Sequence, residues 1–319
     1  MNKRYFITGG AGFIGSNLIN HLLSSHDCRV TVYDNFVTGI RDNLANHARD
    51  SRVNIIDADI RDDERLMSAI EGHDIVYHFS ANSDIASAQN DPPIDFNNGT
   101  VLTHFVLEAM RKTGVKRIVF SSGSGVYGEI GPVPVPEHYS PMIPISTYGA
   151  SKLASESLIS AYSFMFEITG TVFRFANVVG PLQTHGVAFD FIRRLATDGT
   201  QLMILGDGTQ SKPYVYIEDV ISAFTLLEEQ QQDGFAVYNV GTQDHLTVRE
   251  IADIVCHRMG LKDVKYNFTG GPRGWKGDVP VYRLDTSKIR KTGWQSQRNS
   301  RQAVEASVDA MLGELHSHA

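Results

Sequence analysis

A tyrosine and a lysine at helical spacing are the first candidates for chemistry in this sequence. Tyr148 and Lys152 stand in the run Tyr-Gly-Ala-Ser-Lys, and residues at i and i+4 lie one above the other on one face of a helix. An ammonium beside a phenol favours the phenolate and, together with a second positive charge, lowers the pKa of the tyrosine from its usual value of about 10 toward neutrality. Such a pair can take the proton of an alcohol. The same spacing also occurs on solvent-exposed helix faces.

Three glycines near the start of the chain predict a dinucleotide site. Gly9, Gly12 and Gly15 lie between an apolar, strand-like stretch and a helical pattern. Glycines in such a turn permit the tight bend, the approach of a pyrophosphate and close helix packing, and the helix N-terminus attracts phosphates. Asp34 ends the next predicted strand, where a carboxylate accepts both ribose hydroxyls of NAD and repels the 2′-phosphate of NADP. Ordinary turns also use glycine, and Asp34 alone fits a strand-end turn.

The dinucleotide and the tyrosine–lysine pair together indicate one type of reaction. The positive nicotinamide adds to the effect of Lys152 on the phenol of Tyr148. A hydride can then leave the carbon whose hydroxyl gives its proton to that phenolate. The sequence therefore predicts NAD-dependent chemistry at one alcohol carbon.

These residues need a scaffold in which strands alternate with helices. Six short stretches are apolar along their whole length, as strands covered on both faces are: residues 5–8, 30–33, 53–56, 75–79, 117–121 and 171–175. Between them, apolar residues recur at four-residue spacing, as at Ile14, Leu18 and Leu22. This alternation predicts an α/β fold, a doubly wound (Rossmann) parallel sheet. The proline-rich stretch 131–144 is expected to be a loop, and the less regular second half a smaller domain.

Length, composition and charge exclude several other classes of protein. The chain has 319 residues, 42% hydrophobic and 20% charged, which is ordinary for a globular protein. A net charge of -7 argues against nucleic-acid binding. We expect no signal peptide and no membrane span, since no apolar run is long enough. Two cysteines fit a reducing cytoplasm, and the histidines show no metal-ligand spacing, so we expect no metal.

The motifs, taken in order, resemble one family along nearly the whole chain. The sequence is similar to the extended short-chain dehydrogenases/reductases, and among them to nucleotide-sugar epimerases of the UDP-glucose 4-epimerase type. The matching segments are TGGAGFIGSNL at 8–18, DNFVTGIRDNL at 34–44, DADIRD at 57–62, HFSA at 78–81, SSGSGVYGE at 121–129, YGASK at 148–152, FRFANVVGP at 173–181, LGDGTQSKPYVYIEDV at 205–220 and RGWKGD at 273–278.

The resemblance implies positions for the cofactor and the substrate. It predicts NAD contacts at Gly9, Gly12, Phe13, Ile14, Asp34, Asn35, Asp59, Ile60, Phe79, Ala81, Tyr148 and Lys152. It predicts that Asn177 binds the diphosphate of the sugar nucleotide. Lys212 stands where the family usually has an arginine, and Arg273 lies two residues further than usual from Gly277 and Asp278. We expect both cations to bind phosphate, although lysine lacks the bidentate fork of arginine.

The same resemblance narrows the reaction. Related dehydratases and decarboxylases carry an acidic residue just before the Val-Tyr-Gly tripeptide, where this chain has Ser124 and Gly125. The prediction is therefore 4-epimerisation of a UDP-hexose through a 4-keto intermediate, with a nucleotide-sugar 4-dehydrogenase or a 4-keto-sugar reductase as the alternative. Relatives carry a hydroxyl at the position of Gly123, so in this chain its contribution is either absent or supplied by Ser122 or Ser124. We expect Ser124 to be the catalytic and substrate-binding one, because its counterpart faces the sugar in the dehydratases.

The resemblance also implies a domain division and an assembly. Residues 1–178, with a returning segment at about 214–245, are expected to bind NAD, and residues 179–213 and 246–319 to bind the sugar nucleotide. The helices matching 100–113 and 148–165 form a four-helix interface in most relatives. We therefore expect a homodimer.

Overall fold

The computed structural model describes residues 2–230 and 233–317. Its strands are β1 (Lys3–Thr8), β2 (Cys28–Asp34), β3 (Val53–Asp57), β4 (Ile75–His78), β5 (Arg117–Gly123), β6 (Pro134–Val135), β7 (Thr169–Phe175), β8 (Asn177–Val179), β9 (Gln201–Ile204), β10 (Ser211–Lys212), β11 (Tyr214–Tyr216), β12 (Phe235–Val240), β13 (Leu246–Thr247), β14 (Lys265–Phe268) and β15 (Arg283–Leu284). Its helices are α1 (Phe13–Ser25), α2 (Asp63–Ile70), α3 (Val101–Thr113), α4 (Thr147–Phe166), α5 (Val187–Thr197), α6 (Ile217–Glu229), α7 (Val248–Arg258), α8 (Ser287–Arg290) and α9 (Ser300–Ser317).

Seven strands form one sheet with the predicted doubly wound topology. Their order is β12-β7-β5-β4-β1-β2-β3, and every neighbouring pair from β3 to β5 runs parallel. The order reverses between β1 and β4, so the loops after these two strands diverge at a topological switch point. In open α/β sheets, ligands bind at the carboxyl ends of the strands at such a point. All six predicted strands are confirmed, with their ends shifted by one or two residues.

The sheet is stabilised by an apolar core whose residues follow the predicted periodicities. Phe6, Val76 and Phe120 from three neighbouring strands join Val106 of α3 and Ile159 of α4 in one buried cluster. Burial of each such side chain contributes about 1.5–3 kcal/mol to folding. This core holds α3 and α4 against the sheet.

The chain divides into two compact units. Unit 1 comprises Met1–Val126, Thr147–Arg174 and Phe224–Tyr238, and unit 2 comprises Tyr127–Ser146, Phe175–Ala223 and Asn239–Ala319. The boundaries differ from the predicted ones in three places, the first of which is that residues 175–178 belong to unit 2. The returning segment of the first unit is shorter than 214–245, and the proline-rich segment belongs to unit 2.

Unit 2 is built from short strand pairs and helices. β8 pairs with β11, β9 with β14 and β6 with β15 in parallel, and β10 pairs with β13 in antiparallel. The proline-rich segment was predicted to be a loop, but its residues Pro134 and Val135 form a strand that pairs with β15. Proline tolerates such an edge position, where its missing N–H is not needed. Among the described helices, none combines the length and apolar character needed to cross a membrane.

Candidate active site

Helix α4 carries the tyrosine–lysine pair of the sequence analysis in its first turns. The side chain of Lys152 is buried, with 4% of its surface exposed. Its Nζ donates a hydrogen bond to the backbone oxygen of Ser121 at 2.6 Å, and lies 5.7 Å from the ring centroid of Tyr148. Burial lowers the pKa of Lys152 to about 8, against the opposing effects of Glu156 and Asp95. Lys152 therefore keeps its proton at neutral pH, as the predicted role requires.

The acidity of Tyr148 in the protein without a cofactor is set mainly by its burial. Burial, and to a smaller extent the negative charge of Asp95, raises the pKa of Tyr148 to about 12. Desolvation thus penalises the phenolate in the protein on its own, whereas the expected shift toward neutrality includes the positive charge of the nicotinamide. A further positive charge beside the phenol would favour its ionisation.

Three serines at the end of β5 and in the turn after it lie in different surroundings. Ser121 contributes its backbone oxygen to Lys152. Ser122 is buried, and its Oγ donates to Oε1 of Glu156 at 2.5 Å, so it is occupied inside the protein. Ser124 begins a short 3₁₀ turn and is half-buried, and no described residue hydrogen-bonds to its hydroxyl. Of the two serines left open by the sequence, Ser124 is the one with a hydroxyl available to a ligand.

Gly123 lies beside these serines and is not demanded by packing. A Cβ built on Gly123 meets no atom within 4 Å. The backbone there does not require glycine either, since its φ is outside the left-handed region. A side chain with a hydroxyl fits at this position.

Two buried carboxylates near the pair were missed by sequence reasoning. Glu156 accepts both Nε and Nη2 of Arg174, the latter at 2.6 Å, in a pair whose side chains are almost completely buried. Asp95 accepts a hydrogen bond from Thr147, the first residue of α4. The position of Glu156 four residues after Lys152 on the same helix face was a usable signal. Asp95 stands in a segment with no regular periodicity, which offered no signal.

The glycine-rich turn after β1 has the shape that a pyrophosphate needs. Gly9 has a φ of +67, and a Cβ there would lie 2.8 Å from the backbone nitrogen of Ser80. A Cβ on Gly12 would meet only the oxygen of Gly9 within 4 Å, so the outer side of the turn is open. Gly12 is the N-cap of α1 and makes no side-chain capping bond. The first N–H groups of α1, including those of Phe13 and Ile14, are therefore available to an anion.

Asp34 lies at the end of β2, beside this turn. Its Oδ2 accepts the backbone N–H of Ala11 at 3.0 Å, and its Oδ1 accepts that of Phe36 at 2.9 Å. Asp34 therefore has the turn-forming role that the sequence allowed as an alternative. Each carboxylate oxygen can accept a second hydrogen bond, so both oxygens retain the capacity to bind the hydroxyls of a ribose. The residues of this turn fit NAD.

The remaining cofactor candidates follow β2, β3 and β4. The side-chain amide of Asn35 donates to Oδ2 of Asp59 at 3.0 Å, and Asp59 also pairs with Arg61. Ile60 is buried directly after Asp59. Phe79 and Ala81 lie in the loop after β4, at the switch point of the sheet, and are half-buried. These residues surround the carboxyl ends of the strands where a dinucleotide binds.

In unit 2, Asn177 lies on β8 among tyrosines. Its Oδ1 accepts a hydrogen bond from the hydroxyl of Tyr282 at 3.3 Å. Tyr214, which is paired with Asn177 in the parallel β8–β11 register, also hydrogen-bonds to its side chain. Asn177 is half-buried, and these contacts fix the orientation of its amide.

The two predicted phosphate-binding cations of unit 2 lie in one cluster with carboxylates. Nζ of Lys212 is 2.5 Å from Oδ1 of Asp278. Nη1 of Arg273 donates to the backbone oxygen of Asp278 at 2.6 Å, and its Nη2 forms an ion pair with Glu129. The stretched spacing of Arg273 thus still brings it to Asp278. Sequence reasoning missed Glu129, which competes with any anion for Arg273.

Among the residues that the structure describes, no group of three histidine, cysteine, aspartate or glutamate side chains could hold a metal ion.

Three comparisons relate this geometry to known proteins. The model of a family described as "NAD dependent epimerase/dehydratase family" matches residues 5–241. A putative UDP-glucose 4-epimerase of Methanocaldococcus jannaschii is 31% identical over 314 residues, covering 96% of this chain and 97% of the relative.

Two solved structures superpose over nearly the whole chain. The UDP-glucose 4-epimerase of Thermus thermophilus, in complex with NAD, has a TM-score of 0.86 at 30% identity, covering 97% of this chain and 99% of the other. A dTDP-glucose 4,6-dehydratase of Streptomyces venezuelae, DesIV, has a TM-score of 0.90 at 28% identity, covering 98% of each chain. The two neighbours represent the two reaction types between which the site residues must decide.

Proposed function

The chain belongs to the NAD dependent epimerase/dehydratase family, and from this premise we propose that it is an NAD-dependent 4-epimerase of nucleotide-diphosphate sugars, with a UDP-hexose as substrate. One observation carries the proposal. The Tyr148–Lys152 pair lies on α4 beside the end of β5, where Ser124 offers a free hydroxyl and neither 124 nor 125 carries a carboxylate. The site has the groups for proton exchange at one carbinol and lacks the acid for elimination.

NAD is the cofactor of the family. The residues that would hold it are Gly9, Gly12, Phe13, Ile14, Asp34, Asn35, Asp59, Ile60, Phe79 and Ala81, together with Tyr148 and Lys152. When bound, NAD supplies the acceptor and later the donor of the hydride at carbon 4 of the sugar. Its positive nicotinamide is also the further charge that the phenol of Tyr148 needs to ionise at neutral pH.

Tyr148 moves the proton. Its Oη takes the proton of the sugar 4-hydroxyl. After the 4-keto sugar has rotated to present its other face, the same Oη returns a proton to the 4-oxygen. Lys152, held by the backbone oxygen of Ser121, stabilises the phenolate in the first step. The Ser124 hydroxyl hydrogen-bonds the 4-oxygen in both steps, in place of the side chain missing at Gly123.

Unit 2 binds the sugar nucleotide in this proposal. Asn177, Lys212 and Arg273 hold the diphosphate, leaving the sugar free to rotate about its linkage to the phosphate. The support is the chemistry of the donors, since an amide and two cations match the oxygens of a diphosphate. Unit 1 is correspondingly the NAD-binding unit.

The experiment is proton NMR of the purified protein with UDP-glucose or UDP-galactose and no added NAD. Conversion of each sugar nucleotide into its 4-epimer is the expected result, with the Tyr148→Phe variant as the inactive control. Turnover only with stoichiometric NAD or NADH would favour a 4-dehydrogenase or 4-keto-sugar reductase instead. Formation of a 4-keto-6-deoxy sugar would identify a dehydratase. Either of these two results overturns the proposal.

The protein is a homodimer in this proposal. The outer face of α4 leaves Phe164 and Met165 with 92% and 67% of their surface exposed, and helices matching α3 and α4 form the interface in relatives. Exposed apolar side chains on one helix are typical of protein–protein contacts. Light scattering at micromolar concentration should give twice the 35.3 kDa of the chain. A mass of one chain contradicts the assembly.

We propose that the protein acts in the cytoplasm. The two cysteines, Cys28 and Cys256, are both free thiols and buried, which suits a reducing compartment. Fractionation of cells producing the protein tests this placement.

A further inference from the structure

The carboxylate of Asp95 is buried beside the catalytic helix without a cationic partner. Only 2% of its surface is exposed. Its Oδ1 accepts the side-chain amide of Asn82 at 2.9 Å, and its Oδ2 accepts the hydroxyl of Thr147 at 2.7 Å. No lysine, arginine or histidine in the described part of the chain forms an ion pair with it. A buried carboxylate that is not paired is costly, and such groups concentrate at functional sites.

Asp95 holds the start of α4 on both sides of the catalytic tyrosine. Thr147 precedes Tyr148 directly, and the hydroxyl of Ser151, one turn later, donates to the backbone oxygen of Asp95 at 2.7 Å. A short π-helix follows, Phe96–Thr100, in which a Cβ on Gly99 would lie 2.3 Å from Oγ of Ser151. Asp95 and the close approach of Gly99 thus fix the helix turn that carries Tyr148 and precedes Lys152.

Asp95 also joins that turn to the loop after β4. Asn82, which donates to Asp95, lies next to Ala81 and donates to the backbone oxygen of Asp84 at 2.8 Å as well. The loop after β4 is one of the two at the switch point of the sheet. One buried carboxylate therefore ties the catalytic helix to the proposed cofactor loop.

The charge of Asp95 faces the tyrosine–lysine pair with little compensation. Among the charged groups around the pair, Lys152 on α4 is the cation and His78 on β4 is held neutral, since burial lowers its pKa to about 3. Glu156 on α4 pairs with Arg174 of β7, and its charge acts on Lys152. Asp95 is the carboxylate whose charge acts on Tyr148, and that charge disfavours the phenolate.

We propose that Asp95 is a positioning residue of the proposed epimerase, which fixes the first turn of α4 and sets the proton affinity of Tyr148. The proposal rests on the assigned role of Tyr148 in proton transfer. A tyrosine that must return a proton to a keto oxygen needs to hold that proton when no extra positive charge is present. The negative charge of Asp95, inside the protein, favours the protonated form of Tyr148 in this way.

The test separates the charge of Asp95 from its hydrogen bonds. Asp95→Asn keeps the volume and removes the charge, whereas Thr147→Val keeps the charge and removes one hydrogen bond. The ionisation of Tyr148 is followed by ¹³C NMR of tyrosine-labelled protein, with its resonance assigned by its loss in Tyr148→Phe. Asp95→Asn should lower the pKa of Tyr148 by about one unit, the usual size for a nearby charge, so that the phenolate is about tenfold more abundant at a given pH. Thr147→Val should leave it unchanged.

The measurement needs neither substrate nor turnover, so it decides the role of Asp95 even if the protein is not an epimerase. An unshifted Tyr148 pKa in Asp95→Asn, or an equal shift in Thr147→Val, overturns the proposal and leaves Asp95 a structural residue. If Asp95→Asn does not fold, Asp95→Ser removes the same charge with less volume. Should the proposed function hold, the acid limb of the kcat profile moves to lower pH in Asp95→Asn as well.

Discussion

The polar groups of the catalytic helix in unit 1 and those of the cation cluster in unit 2 are held in different ways. Lys152 is held by a neutral backbone oxygen, and Ser124 has no described hydrogen-bond partner. Lys212 and Arg273 are instead held by carboxylates, those of Asp278 and Glu129. In the first region the charge of Lys152 and the hydroxyl of Ser124 are therefore available to a ligand. In the second region the cations are already paired with carboxylates.

This difference indicates how each region would bind a ligand. A ligand of the catalytic helix meets donors that are already oriented, which is the condition for electrostatic catalysis. A diphosphate near Lys212 and Arg273 must take the place of an existing partner. Chemistry in unit 1 should therefore be sensitive to single atoms, and binding in unit 2 should respond mainly to the balance of charge.

The most sensitive single atom is the hydroxyl oxygen of Tyr148. Tyr148→Phe should lose about 10²–10⁴-fold in kcat, the usual contribution of a general acid–base group, while the Kd values for NAD and the sugar nucleotide stay within twofold. Tyr162→Phe is the matched control, since Tyr162 lies on the same helix and its hydroxyl donates a hydrogen bond to Glu108 at 2.7 Å. Steady-state rates and calorimetric titration measure both. Near-normal turnover of Tyr148→Phe would eliminate it as the base.

Substitution of Asp34 tests whether its carboxylate oxygens bind the ribose of NAD in unit 1. Asp34→Ala should raise the Kd for NAD about tenfold or more, because a hydrogen bond to a charged group contributes about 1.5–3 kcal/mol. Asp57→Ala is the control, since Asp57 ends the neighbouring strand in register with Asp34 and pairs with exposed Arg41. Fluorescence titration with NADH and the amount of NAD that copurifies measure the effect. Equal Kd values for the two variants would contradict the ribose assignment.

Substitutions of Ser122 and Ser124 compare a hydroxyl that is hydrogen-bonded to Glu156 with one that has no described partner. Ser124→Ala should lose about tenfold in kcat, since one hydrogen bond in the transition state is worth about 1.4 kcal/mol. Ser122→Ala should lose less turnover but destabilise the protein by about 1 kcal/mol, because its bond to Glu156 is buried. Steady-state kinetics and thermal unfolding separate the two.

A rescue sharpens this prediction. The open space beside Gly123 accepts a side chain, so Gly123→Ser in the Ser124→Ala background should restore most of the lost turnover. An unimpaired Ser124→Ala variant would remove Ser124 from the mechanism.

The sheet and its glycine-rich turn were predictable because they depend on short-range patterns. Continuous apolar strands, helical spacing and the glycine turn are local features, and each is confirmed in the structure. The burial of Tyr148 and the nearby charge of Asp95, which raise the pKa of Tyr148, were not predicted, since Asp95 is distant in sequence. The partners of Lys212 and Arg273 were missed for the same reason, because Glu129 is brought to Arg273 by the fold alone.

The boundary of the units shows the same limit. The segment 127–146 stands between the motifs of unit 1 in sequence, and nothing in its prolines indicates a partner. It belongs to unit 2 because Pro134 and Val135 pair with β15, about 150 residues later in a parallel register. Long-range pairing of two residues leaves no periodicity in the sequence.

The smallest expected effect concerns the preformed ion pair between Glu129 and Arg273, which is partly exposed to solvent. If the proposed diphosphate must displace Glu129, then Glu129→Gln should lower the KM for the sugar nucleotide by about two- to fivefold, the size of an exposed ion pair of up to about 1 kcal/mol. The value of kcat should not change, because Glu129 acts on binding and not on Tyr148. The gain should shrink as salt is added, since exposed charges are screened.

The double variant decides whether the gain comes through Arg273. In an Arg273→Gln background, where the affinity is already reduced, Glu129→Gln should bring no further improvement, and the two effects should be non-additive. Additive effects would mean that Glu129 repels the diphosphate by itself, without engaging Arg273. A raised KM in Glu129→Gln would contradict the comparison between the two units, because Glu129 would then orient Arg273 for the ligand, and the cation cluster would be as prearranged as the catalytic helix.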